Sequence, residues 1–351
     1  MSIIDEDISI SQTLPSNHYT EKTLFNVHRK NLYNNWQFVG HNSWFEKSKK
    51  IPVNLADEPA ILTHDNEIIR CVSNVCTHRA MLLVSEAENG NSIKCPYHGR
   101  SFSLCGKMKN MPQFDGVENF PTSDDNLREF NLSNWKNFLF SKMGGDQKFS
   151  DFIAALEKRM DFFKLGDLIY DKSMDRSHEI KTNWLLYVDN YLEGFHIPYV
   201  HKGLNDVLDY QQYQTEIFSN AVLQIGYGET AENCFLIPKN HIDSGKNIAA
   251  YYWWIFPNLM MNFYPWGLSI NVVRPIDIGT TVVDYYGFKF PDVSKIGAGS
   301  ELDVVEHEDQ LVVERCYLGM QSKSYNRGRY SAIMEKGVHH FHLLLTSKQS
   351  Q

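Results

Sequence analysis

The chain has no apolar run approaching the ~20 residues that span a bilayer. Its longest candidates, Ala249 to Pro257 and Leu343 to Leu345, are far too short. It lacks a basic excess: the formal net charge is −8 and no Lys/Arg cluster interrupts it, which argues against a nucleic-acid surface. A disulfide framework is also missing. The six cysteines (Cys71, Cys76, Cys95, Cys105, Cys234, Cys316) are too scattered for one, and spare cysteines of this kind suit a reducing compartment. Cys71 and Cys105 flank one cysteine-bearing region and are the one pair worth testing for a disulfide. The opening residues, with Asp5, Glu6 and Asp7, do not follow the basic-then-apolar order of a secretory leader, so the expected location is cytoplasmic. Internal repeats and low-complexity tracts are absent. What is there is globular: 42% hydrophobic and 22% charged residues over 351 positions, enough for two domains with their own cores.

Residues 76 to 98 carry the strongest local signal. Cys76-Thr-His78 and Cys95-Pro-Tyr-His98 each pair one thiol with one imidazole in a short clip, with Pro96 and Gly99 suited to the turns. Two thiolates on one iron and two imidazoles on the other are what a Rieske-type [2Fe–2S] cluster requires. A Cys2His2 zinc site uses the same ligand types, although zinc fingers usually pair Cys with Cys and His with His.

Around the clips, from about Trp36 to Met143, the chain reads as short strands at Ala60-Ile-Leu, Ile68 to Val72, Ser92 to Cys95 and Phe138-Leu-Phe, a compact all-β unit. Thr20 and Glu21 open a helix near the N-terminus. Gly144-Gly145-Asp146 reads as a linker, giving an arm over 1–37, a cluster domain over 38–143 and a second domain over 144–351. In the second domain, helices are expected over Phe149 to Phe163, Trp184 to Phe195 and Ser300 to Met320, the last with Ser300 as cap and Asp303 three positions on. Aromatic and β-branched runs from Ala249 to Phe290, punctuated by Pro257-Asn258, Pro265, Pro275 and Gly279, predict an antiparallel sheet, so the fold class is α+β. Trp253, Trp254, Phe256, Phe263, Tyr264 and Trp266 read as sheet core, with an aromatic cage as the alternative.

A second constellation lies in Asp189-Asn-Tyr-Leu-Glu193-Gly-Phe-His196-Ile-Pro-Tyr-Val-His201. The spacing predicts Asp189, Glu193 and His196 on one helical face, with Pro198 ending the helix and bringing His201 back to the same point. Two histidines and a carboxylate are the donor set of a non-haem Fe(II) site that binds O2 at its open positions. The plain alternative is two satisfied structural histidines. For the carboxylate, Leu302, Val305, Asp309, Val312, Cys316 and Met320 form one helical stripe with Asp309 at its centre. A carboxylate on a buried face is costly unless paired or bound to metal. Glu306, at the margin, is the alternative ligand, and an ion pair of Asp309 with Arg315 is the structural one. His339, His340 and His342 read as packing and hydrogen-bonding groups, and His178, His241 and His307 as structural or exposed.

With both constellations present, the chain resembles the α (oxygenase) subunit of Rieske non-haem iron oxygenases. The likeness runs from Thr13-Leu-Pro-Ser16 and Trp36-Gln-Phe-Val-Gly-His41 through both metal motifs to Gly328-Arg-Tyr-Ser331 and His339-His-Phe-His342. Within the family it is most similar to choline, carnitine and glycine betaine monooxygenases. The resemblance implies that Cys76, His78, Cys95 and His98 hold the cluster and that His196, His201 and Asp309 hold mononuclear iron. It implies that Glu193 bridges a cluster histidine of one subunit to an iron histidine of its neighbour, hence a homotrimer or a multiple of it. It implies a helix-grip (START/Bet v1-like) catalytic domain and a separate NAD(P)H-dependent reductase, with or without a ferredoxin. The reaction implied is O2-dependent hydroxylation of a small molecule, an N-methyl or quaternary ammonium compound. The alternatives are cis-dihydrodiol formation by an aromatic-ring dioxygenase and a non-catalytic electron carrier. Two positions depart from the family pattern, which usually has Trp where Arg100 stands and commonly Asp where Cys105 stands.

Overall fold

The computed structural model describes residues 3–201, 213–228, 230–293 and 302–347, with side chains in the last segment from residue 305. The chain divides into two compact units, one of Leu32–Phe149 and one of Met1–Asn31 with Ser150–Gln351.

The larger unit is built on an eight-stranded sheet. Its main path runs Ile169–Tyr170, Thr280–Lys289, Gly267–Asp277, Leu259–Tyr264, Ile248–Ile255, Ala221–Tyr227, Gln214–Phe218, and Arg176–Ile180 adds to Thr280–Lys289. Every pairing is antiparallel. Alternation along a strand sends successive side chains to opposite faces, and Trp254 therefore enters a different environment from Trp253. Trp254 and Phe256 join a core with Val222, Met260, Val273 and Val283, and this core is closed by Trp184, Leu185 and Val188 of helix Trp184–Tyr191, Val313 of helix Leu302–Met320, and Phe341 and Leu345 of helix Lys336–Ser347. The arm is tied to this unit by backbone bonds from Thr13 to Gly328 and from Ser16 to Asn326.

The smaller unit has a six-stranded antiparallel sheet in the order Gln37–His41, Phe138–Lys142, Glu129–Trp135, Ile68–Ser73, Glu58–Asp65, Lys50–Leu55. A second sheet of three short strands, Ile93–Lys94, Ser101–Phe102 and Met108–Asn110, lies beside the clips in sequence. Cys71 and Cys105 are both free, Cys71 fully buried and Cys105 exposed, so no disulfide joins them.

Several elements differ from the sequence reading. The helix after Asn183 ends at Tyr191, and Pro198 sits at the start of a four-residue helix, Ile197–Val200, instead of terminating a long one. A fixed φ and a missing N–H make proline a good first-turn residue. Pro275 lies inside Gly267–Asp277, at a register shift in the pairing. The helix near the C-terminus is described from Leu302, so the expected Ser300 cap lies outside the described residues. Its inward face runs through Val313 and not Cys316, which is exposed.

Candidate metal centres

The two clips share one turn. In each, the cysteine carbonyl accepts the N–H four residues on, from Ala80 and from Gly99, and both of those residues adopt positive φ, +54° and +75°. Such a conformation is inexpensive for glycine and strained for alanine. The turn folds each histidine back toward its own cysteine, which is why gaps of one and two residues serve equally. Cys76 and Cys95 are each 2% exposed, and burial pushes the Cys76 thiol up. The His78 and His98 rings lie 4.8 Å apart, centroid to centroid. Nδ1 of both rings is buried with no hydrogen-bond partner. Orphaned buried acceptors are rare without a reason. Two buried cysteines and two adjacent rings with unpartnered buried nitrogens are the donor set of a four-ligand cluster.

Arg100 is 2% exposed, and its Nη2 donates to Asp125 while its guanidinium lies over the Phe120 ring at 5.3 Å. The carbonyl of Arg100 accepts the Cys95 N–H at 2.7 Å, so this position belongs to the clip's own turn. Cys105 bonds Ser103 and plays no part in the clips.

In the larger unit His196, His201 and Asp309 each offer a ligand atom, all within 4.8 Å of one another. Nε2 of His196 is 3.4 Å and Nε2 of His201 3.0 Å from Asp309 Oδ1. Ligands about 2.1 Å from one ion at right angles stand about 3 Å apart, so the spacing suits three adjacent corners of an octahedron. The outward nitrogens are also engaged: His196 Nδ1 lies 2.6 Å from Glu193 Oε1 and His201 Nδ1 2.8 Å from Glu308 Oε2. A carboxylate only accepts, so Glu193 and Glu308 keep a proton on each Nδ1. The Nε2 protons that face Asp309 are the ones a metal ion would displace, which leaves the tautomer a metal histidine needs. Glu193 is held in turn by the backbone N–H groups of Phe195 and His196.

Burial opposes charge on His196, but the hydrogen bonds it donates to Asp309 and Glu193 outweigh it and raise its pKa to about 9. His201 is raised in the same way, against burial, by Asp309 and Glu308. Burial alone would raise Asp309, yet the two imidazoles bring it down. The pocket thus holds more negative than positive charge and draws protons to its histidines; a divalent cation would take their place.

Asp189 does not share the face of Glu193 and His196. The helix ends before Glu193, and Asp189 accepts from Tyr19 Oη at 2.8 Å and bonds His342 Nε2 at 2.8 Å. His342 also bonds Tyr330, and His339 bonds the Asp5 carbonyl, so these C-terminal histidines are engaged in packing contacts. Glu306 stands apart from the three-residue group: its Oε2 accepts from the hydroxyls of Tyr187 (2.7 Å) and Tyr285. Burial raises its pKa to about 7, partly offset by the tyrosine bonds. Sequence reasoning missed Glu308 as the partner of His201; its i−1 position beside Asp309 puts it on another helical face, and only the fold brings His201 there.

Comparison with known proteins agrees with this geometry. Residues 35–121 match the Rieske [2Fe–2S] domain and residues 169–348 the catalytic domain of the ring hydroxylating alpha subunit. The chloroplastic choline monooxygenase of Arabidopsis thaliana is 30% identical, the alignment covering 95% of this chain and 82% of that protein. The carnitine monooxygenase oxygenase subunit of Escherichia coli K12 is 27% identical, covering 95% and 92%. A quaternary ammonium Rieske monooxygenase solved in complex with L-carnitine superposes with a TM-score of 0.81 at 24% identity, covering 97% of this chain and 96% of that one, which shows a common fold. Two domains of this kind on one chain account for both constellations, and a zinc site for neither. The chain belongs to the ring-hydroxylating alpha-subunit family of Rieske oxygenases, oxidoreductases that combine a [2Fe–2S] cluster with mononuclear iron and O2.

Proposed function

We propose that this oxygenase hydroxylates a small quaternary ammonium or N-methyl compound, with Cys76, His78, Cys95 and His98 holding the cluster and His196, His201 and Asp309 holding Fe(II). The observation that carries the reading is the convergence of both Nε2 atoms on Asp309 Oδ1. The relatives named for choline and carnitine point to the substrate class. When bound, the two iron groups supply single-electron transfer and O2 activation. Two electrons from NAD(P)H, delivered by a separate reductase, and two protons balance one O2: one oxygen enters a C–H bond and the other leaves as water. Hydroxylation beside nitrogen gives a carbinol that collapses to an aldehyde.

This chain's residues do the positioning. Glu193 fixes the His196 ring and is the proposed bridge to a cluster histidine of a neighbouring subunit, which makes a homotrimer or its multiple the working assembly. Glu308 fixes the His201 ring. The antiparallel sheet and the helices Trp184–Tyr191 and Leu302–Met320 would form a helix-grip arrangement, with domain limits near 38–143 and 144–351. An arene dioxygenase is disfavoured by the half-buried carboxylate of Glu306 in the same interior, since an apolar ring offers a desolvated charge nothing in return.

The test is turnover with a surrogate reductase and NADH on a panel of quaternary amines and arenes. Aldehyde from an amine is the expected product. A cis-diol from an arene, with no amine consumed, would contradict the proposal.

A further inference from the structure

We propose that Glu306 is the anionic anchor for the substrate's cationic head, set among Tyr187, Tyr191, Tyr264 and Tyr285. The inference rests on the quaternary ammonium reading above and names the residue that enforces it. Its two carboxylate oxygens are used differently. Oε2 lies within hydrogen-bond reach of the Tyr187 and Tyr285 hydroxyls, whose oxygens are 2.6 Å apart, and the two hydroxyl protons are shared among these three contacts. Oε1 has no hydrogen-bond donor among the described residues, and it is not among the fully enclosed polar atoms left without a partner. The side chain is half-buried and keeps some accessible surface, which leaves room for a ligand at Oε1.

Two further tyrosines lie near enough to be affected by Glu306. Tyr191 and Tyr264 both feel the Glu306 charge, and each has its hydroxyl drawn away to another partner. Tyr191 donates to Asn262, and Tyr264 bonds Tyr252. With their hydroxyls engaged, what these tyrosines can offer a cation is their rings. Tyr264 is further fixed by parallel stacking on Trp266, centroids 5.1 Å apart. A trimethylammonium group cannot donate a hydrogen bond; it is held by ring faces and by a nearby negative charge. Glu306 lies one helical turn before Asp309, on the same side of helix Leu302–Met320, and the charges of Asp309 and His201 reach it. A cation held at Oε1 would therefore sit on the side of the helix that carries the proposed iron position. The tyrosine hydroxyls hold the carboxyl group in one orientation, and a cation bound beside it would favour its ionised form.

The test is calorimetric binding to the full-length holoprotein of choline, L-carnitine and 3,3-dimethylbutan-1-ol, in which a neutral tert-butyl group replaces trimethylammonium. Wild type is expected to prefer choline over the neutral isostere. Glu306→Gln should weaken choline binding by roughly a hundredfold while changing the isostere less than about threefold, because only the desolvated charge is removed. Glu306→Met, matched in length and without a charge, serves as a second variant should the first fail to fold, with the same outcome expected. Iron content and the visible spectrum of the cluster should be unchanged in both. Equal losses for charged and neutral ligands, or a preference for choline retained by the variants, would overturn the role of Glu306 alone. Wild type that binds and turns over neither amine would overturn the substrate reading and this inference with it.

Discussion

At the scale of single residues, the groups that do not touch the reacting centre are as telling as those that do. Glu308 contributes nothing to the three-residue group, yet its contact with His201 Nδ1 sets that ring's tautomer. Glu308→Gln should lower iron affinity by about 10–100-fold, the usual effect of losing a carboxylate behind a ligating histidine. Competition with a chelator would measure it. His18 and His28 carry a different prediction. Both are buried and share a hydrogen bond of 3.0 Å, and burial lowers their pKa values to about 4 and about 3, with the charges of His342 and Arg327 adding for His18. The unfolded chain takes up these protons near pH 6.5 and the folded chain does not. Their contribution is therefore complete above pH 6.5 and is lost as the pH falls toward 4. Denaturant unfolding at a series of pH values should show stability dropping across that window, and His28→Asn should flatten the drop. Asp309 could be found from sequence because it interrupts an apolar stripe. Glu308 could not, because its partner is 107 residues away in the chain.

At the scale of elements, the strands of the large sheet are legible because β-branched and aromatic runs end at turn residues, and the sheet follows that pattern through Gly267–Asp277 and Thr280–Lys289. Helix ends are less legible. The spacing of Asp189, Glu193 and His196 fits one helical face, but the helix stops at Tyr191 and the next four residues turn back on themselves. Periodicity states which residues would share a face if a helix continued; it does not state that it continues. The reason for the stop lies in packing. Gly337 of helix Lys336–Ser347 comes so close to this turn that a Cβ there would meet the Leu192 carbonyl oxygen at 2.4 Å. Gly337→Ala must push Leu192 away, and with it the neighbouring Glu193. The expected outcome is a loss of about 1–3 kcal/mol in stability, as for other overpacked contacts, read from the shift of the denaturation midpoint. It should be accompanied by slower electron delivery to the mononuclear site than to the cluster, read by stopped-flow absorbance.

For the whole molecule, each compact unit carries one donor set: the clips belong to Leu32–Phe149 and the two-histidine, one-carboxylate group to the other unit. Both sets were legible because each is largely local in sequence, within 23 residues for the clips and a short segment plus one helix position for the iron group. The proposed surroundings of the substrate were not. Tyr187, Tyr191, Tyr264, Tyr285 and Glu306 come from four separate elements, and no single stretch of sequence advertises them. The six aromatic residues between 253 and 266, read as sheet core with a cage as the alternative, are all buried, and Trp254 and Phe256 belong to the core. Because the donor sets lie in separate units, each should load without the other. The account stands most directly on the iron content of His201→Ala with Asp309→Ala against wild type. It predicts about three irons per chain in wild type and about two in the variant, with the visible spectrum of the cluster intact and aldehyde formation abolished. A variant that kept all its iron and its turnover would contradict it.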